Sequence, residues 1–242
     1  MKQLGGIVLA LVFCTAAWAD DGSLAGPELD PDGTPLPADL EWDWRPGDLI
    51  FRNGVNRIDE SIKRSLGLEW ASVGILRPGS GGPRVVHVDQ AGGVTEDLLY
   101  EYVEGLSPGE YAVYRPRNLA PGHDPETDPM WAGPMAGFAL AIAYGAPHDD
   151  EFLFGNGAFY NAELAYEAAL NAAIVLGPPT RLRDLIDDPD DLDDALRNLL
   201  ETHRYCRYEL TFGDCWTHDL GDLSIVTTDS MIASGALDRV FP

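Results

Sequence analysis

Lysine is almost missing from this chain of 242 residues: 16 basic side chains stand against 40 acidic ones, and only Lys2 and Lys63 are lysines. The formal charge of −24 sets the chain against nucleic acid and anionic lipid, so binding to either is not expected. Long apolar runs are equally scarce. After the first twenty residues nothing approaches the roughly 20 consecutive apolar residues of a membrane span. Cysteine is rare too, with Cys14, Cys206 and Cys215 the full set. Two cysteines beside irregularly spaced His203 and His218 do not make a convincing metal set, and no metal or cofactor is expected.

The beginning, MKQLGGIVLALVFCTAAWAD, has a minimal basic start at Lys2, an apolar stretch from Leu4 to Ala16, and an Ala17-Trp18-Ala19 cleavage pattern. A signal peptide over 1–19, cut after Ala19, is therefore expected, with export to a periplasm or equivalent space and no integral membrane segment afterwards. Processing removes Lys2 and leaves 223 residues (242 minus 19) carrying 15 basic and 40 acidic side chains, a formal charge of −25. Export also makes a disulfide the natural state of the close pair Cys206 and Cys215 in YCRYELTFGDCW.

Residues 20–43, rich in Pro, Asp and Gly, read as a flexible acidic leader. The folded part, 44–242, opens on a turn signal, Pro46-Gly47, and a short apolar strand, Asp48 to Phe51, in which Asp48 is expected to satisfy local backbone N–H groups. NRIDESIKRSLG has helical spacing and stops at Gly67. WASVGIL (70–76) and RVVHVDQ (84–90) read as a hairpin joined by RPGSGGP. GGVTEDLLYEYVEG is part strand and part helix, and YAVYRPR (111–117) a further strand. After a charged, Pro-rich break (118–129), MWAGPMAGFALAIAYG reads as a buried small-residue helix. A second helix holds GAFYNAELAYEAALNA, with Leu164, Ala168, Ala172 and Val175 on its apolar face and Asn161 as its cap. Residues 178–203 read as an acidic helical stretch, and the end as one strand and a short helix. Without repeats or a second core, this is one α+β domain: an antiparallel sheet packed against helices.

The order of these segments resembles the permuted papain-fold amidases of the NlpC superfamily, the YiiX/YaeF-like group. GDLIF, a helix, WASVGIL, RVVHVDQAGGVTEDL and a strand ending YRPR are similar to its first half. AIAYGAPHDDEFLF before FYNAELAYEA is similar to its G-x-P-x-D-x-x-F loop and Y-C-S-E-[LV] helix. SIVTTDSMIASGAL resembles its ending. The resemblance covers about 44 to 241. It implies a circularly permuted papain-like fold in which a thiol at a helix N-terminus is activated by a strand histidine and a third polar residue.

Carried over position by position, the resemblance puts the catalytic Cys at Asn161, between Tyr160 and Ala162, with Glu163 matching the motif Glu. The His falls on Ser72, two residues before Gly74, and the orienting residue near His87. Neither Asn nor Ser can supply the missing chemistry. The resemblance thus implies an inactive amidase whose former groove, around Ser72, His87, Tyr160, Asn161 and Glu163, binds a cell-wall peptide, an amino-acid-like fragment or an acyl (lipid-like) ligand. One alternative is a rebuilt hydrolase, in which Ser72 is a nucleophile served by His87 across the hairpin, with Asp89 or Glu163 in support. Another is an envelope interaction protein without a small-molecule groove. The resemblance implies that Ser72, His87 and Asn161 converge in the fold, although they lie far apart in sequence.

Overall fold

A computed structural model describes residues 42–107, 109–119 and 132–242. The expected signal peptide, most of the leader and most of the Pro-rich break lie outside these residues. The central feature is a six-stranded antiparallel sheet in the order β4-β3-β2-β1-β5-β8. Its strands are β1 (Leu49–Arg52), β2 (Ser72–Arg77), β3 (Arg84–Asp89), β4 (Gly93–Leu98), β5 (Tyr111–Pro116) and β8 (Leu237–Phe241). β1 lies in the interior of the sheet, and Leu49, Ile50 and Phe51 are all fully buried, as an unbroken apolar strand covered on both faces must be.

Alternation along the strands divides the core. Leu49, Phe51, Val73, Ile75, Val86, Val88 and Tyr114 face a large cluster under the helices. Ile50, Leu76, Val85, Tyr111 and Val113 face a smaller one, closed by Trp42, Phe241 and the short helix α2 (Leu99–Tyr102). The acidic Asp48, just before β1, is also buried and accepts from both Nε and a terminal nitrogen of Arg115 at 2.8 Å, and from the Arg45 amide at 2.8 Å. Burial raises its pKa, against the pull of Arg115. Its expected local role is thus present, with a longer-range ion pair added.

Helix α1 (Arg57–Leu66) begins where Asn56 Oδ1 accepts from the Asp59 amide and ends at Gly67, whose φ of 66° suits glycine. Helix α4 (Asn161–Asn171) packs on β2 and β3, and its run of Ala162, Ala165, Ala168 and Ala169 lets it approach the sheet closely. It is shorter than its periodicity suggested. Ala173 adopts a positive φ of 60°, which ends the helix, and Val175 lies beyond it, 63% exposed. The small-residue helix is α3 (Gly133–Phe138), continued by a π-turn over Ala139–Ala143.

Two other expectations needed correction. Residues 178–203 are not one helical stretch: a two-stranded sheet of β6 (Thr180–Arg181) with β7 (Ser224–Ile225) opens the region. The short α5 (Leu182–Leu185) follows, and Pro189 separates it from α6 (Asp194–Glu201). The C-terminal β8, paired with β5, was not anticipated, because Asp238 and Arg239 interrupt its apolar pattern at an exposed edge. The disulfide forms as expected, linking Cys206 to Cys215 on α7 (Phe212–His218). The final helix, α8 (Thr228–Ala233), is capped by Thr227.

Candidate functional site

β2 and β3 pair only from Ile75–Val86 to Arg77–Arg84 and then part. On its other side, Val88 lies opposite Val94, but the Val94 N–H and C=O turn outward to Ala146 and Gly145. In an antiparallel ladder the Val88 polar groups must then point toward β2, into the gap. The N-terminus of α4 fills that gap. Asn161 Oδ1 accepts from the Val88 amide at 2.7 Å, and its Nδ2 donates to the Val88 carbonyl at 2.9 Å. The side-chain amide thus stands in for one residue of a missing strand.

This corrects the expected role of Asn161. The N-cap residue is Tyr160, with no side-chain capping bond, and Asn161 sits in the first turn with its amide turned toward β3. Its Nδ2 also donates to Asp59 Oδ2 at 2.6 Å. The same oxygen accepts from Ser72 Oγ and from Asn56 Nδ2, the latter at 2.9 Å. Ser72 and Asn161 therefore do converge, through a third residue. Asp59, Ser72 and Asn161 are exposed by 2%, 0% and 1%, so the cluster is sealed from solvent. Burial pushes the Asp59 pKa up to about 6, against the pull of its bonds from Ser72 and Asn161 and the charge of His148.

His87 does not join this cluster with its side chain. It shares the face of Val85, where its ring lies 4.9 Å from that of Tyr102 and its Nε2 is 2.7 Å from Asp97 Oδ2. Nδ1 is buried without a hydrogen-bond partner among the described residues. Ser72 Oγ is bonded to Asp59, so the Ser–His pair of a rebuilt hydrolase has no hydrogen bond between its members. Asp89 is taken up by its own turn, accepting from the amides of Ala91 and Gly92.

Glu163 is fully buried and neither carboxyl oxygen makes a well-formed hydrogen bond among the described residues, although the Tyr160 backbone approaches closely enough to lower its pKa slightly. Burial, then the nearby charges of Asp149 and Glu167, push its pKa up to about 9, which leaves a neutral acid at neutral pH. The hydroxyl of Tyr160 accepts from the Val226 amide at 2.8 Å, and burial raises its pKa well above the usual value. Sequence reasoning missed Asp59 and His148. His148 Nδ1 lies 2.9 Å from Asp150 Oδ1, while its buried Nε2 is unpartnered among the described residues. The Asn56-x-x-Asp59 spacing reads simply as a helix start, so nothing local marks Asp59 as a hub.

No family model matches the chain, and no curated protein matches it. Among solved structures, one match has a TM-score of 0.59 and covers 83% of this chain and 100% of its own, at 18% identity. It is the crystal structure of YiiX from Escherichia coli O157:H7, described as a metalloprotein of DUF1105. The fold is that of YiiX. The YiiX-like arrangement accounts for the single α+β domain with helices on an antiparallel sheet. At this identity the likeness is one of fold, and the metal belongs to that description alone. The residues gathered here do not fit a metal: Asp59 is the one carboxylate in the cluster, and its Oδ2 already accepts three neutral donors. Among the described residues no group of three His, Cys, Asp or Glu could hold an ion. Nor is any described helix long and apolar enough to cross a membrane.

Proposed function

We propose that this is an exported, catalytically inactive protein of papain-like fold that works by binding. The observation that carries the reading is the use of Asn161. At the helix position implied for a thiolate, its amide is engaged with both Val88 backbone groups and Asp59, and it is buried. A nucleophile needs an ionisable or deprotonated atom open to substrate, and a saturated carboxamide offers neither. Burial also bears on the two non-catalytic readings. A peptide, amino-acid-like or acyl ligand has no opening beside sealed Ser72 and Asn161, so an interaction surface elsewhere on the molecule is favoured. The rebuilt hydrolase is disfavoured by the separate hydrogen bonding of Ser72 and His87. Export rests on the N-terminal pattern and is compatible with the disulfide.

The test is hydrolysis of fluorogenic amide and ester substrates, with iodoacetamide and fluorophosphonate labelling alongside. No turnover above background and no labelling are expected. Saturable hydrolysis that Ser72→Ala abolishes, with the fold retained, would overturn the proposal in favour of the rebuilt enzyme.

A further inference from the structure

A cleft of about 400 Å³, which none of the Asp59 cluster lines, is walled by Phe152, Leu153, Phe154, Tyr205, Leu223 and Ser224, with Asp219 and Asp222. Its size falls within the range of small-molecule sites, roughly 300–1,000 Å³. Three anchored segments wall it. The loop carrying Phe152 is knotted by buried Asp149, which accepts from the amides of Glu151 at 2.9 Å and Leu153 at 2.7 Å. Asn156 Nδ2 adds a third bond to the same carboxylate at 3.0 Å. Phe152 itself holds a positive φ of 52°, a conformation that needs such support. Tyr205 sits on a turn tethered to α7 by the disulfide, and Leu223 leads into β7, which Ser224 begins. Such walls are formed in advance of any ligand, which lowers the ordering cost of binding.

The charges around the cleft are unequal. Arg183 lies 3.0 Å from Asp222 and offsets that carboxylate, while Arg181, 3.6 Å from it, is held by two hydrogen bonds to Asp184. Arg204 is paired with Glu151. Asp219 has no side-chain partner among the described residues and is exposed, so one uncompensated negative charge remains beside a wall that includes the part-exposed rings of Phe154 and Tyr205. An anion would meet Asp219 and a molecule of formal charge −24. No leader side chain can supply the missing cation, since residues 20–44 contain neither Lys nor Arg.

We propose that this cleft binds an organic cation with an apolar body, its amine on Asp219 and its body on the Phe154 and Tyr205 rings. Ring faces attract such cations as well as apolar groups. The site is separate from Asn161 and does not depend on whether the protein is inactive there.

The experiment is two-dimensional amide NMR of the purified protein at about 0.15 M salt. It is titrated separately with 4-phenylbutylamine, 4-phenylbutanol and 4-phenylbutyrate. The amine should shift the amides of 152–154, 205 and 219–224 saturably, with the alcohol about 5-fold weaker and the carboxylate without effect. Asp219→Asn should bring the amine down to the affinity of the alcohol and leave the alcohol unchanged, and its own spectrum reports whether it is folded. Equal affinity of amine and alcohol would overturn the proposal. So would amine shifts that spread over the acidic surface without saturating, which would mean general attraction to a polyanion.

Discussion

Replacing Asn161 by alanine removes three buried hydrogen bonds: two to the Val88 backbone and one to Asp59. The Val88 N–H and C=O would be left facing the gap where β2 and β3 part. Each buried group so stranded costs about 1–3 kcal/mol, and the loss to Asp59 adds to this, so Asn161→Ala should lower stability by about 3–5 kcal/mol. A residue acting only as a helix cap would be worth about 1 kcal/mol. Urea unfolding with an unchanged slope separates these values. Hydrogen exchange at the Val88 amide should accelerate while amides of β1 keep their protection. Asn161→Asp sharpens the test, because it keeps the shape and replaces the donor with an acceptor facing Asp59 Oδ2 and the Val88 carbonyl. Its deficit should be largest at neutral pH and shrink as the new carboxyl is protonated in acid. A loss near 1 kcal/mol in Asn161→Ala, with the Val88 amide still protected, would refute the account of Asn161 as a strand substitute.

Asp59 and Glu163 both have raised pKa values, so the folded protein keeps protons that the unfolded chain releases; their contribution is full below their ordinary values of 3.8 and 4.5. It is lost as pH rises, through about 6 for Asp59 and about 9 for Glu163. For Asp59 the rise from 3.8 to about 6 amounts to about 3 kcal/mol at 1.36 kcal/mol per unit. Thermal unfolding should accordingly show higher stability near pH 5 than near pH 9, with Glu163→Gln flattening the alkaline part; stability that climbs over this interval would contradict both assignments. Reducing the Cys206–Cys215 bond, which spans 9 positions, should cost about 2–3 kcal/mol in denaturant unfolding, and no change would mean the bond holds nothing. Gly93→Ala should destabilise by more than about 1 kcal/mol in the same assay, since its φ is 71° and a Cβ there would meet the Ala146 carbonyl. N-terminal sequencing of protein from its host should begin at Asp20, and a start at Met1 would exclude the expected cleavage.

Much of the architecture was legible because it depends on local rules. The run Leu49 to Phe51 must be covered on both faces, Asn56 and Gly67 mark the two ends of a helix, and two cysteines nine positions apart are close enough to pair. Each of these needs only neighbours within a few residues. β8 was not legible, because an edge strand tolerates Asp238 and Arg239 on its exposed side and so loses the apolar signature. The split of 178–203 was missed because acidic short helices and one long helix share the same composition.

For the site, the sequence by itself determined which atoms are absent: with Asn at 161 and Ser at 72, no thiolate and no imidazole can stand there, whatever the fold. What those residues do instead was decided only by tertiary structure. Asn161 lies 73 positions from Val88 and 102 from Asp59, and an amide reads as a helix cap until its partners are known. The face of the sheet on which His87 points follows from which strand residues meet α4, and the hub role of Asp59 from where α1 is set down. A hydrogen bond between distant residues leaves no mark on the residues between them. Its two ends are specified by packing, and packing belongs to the whole chain.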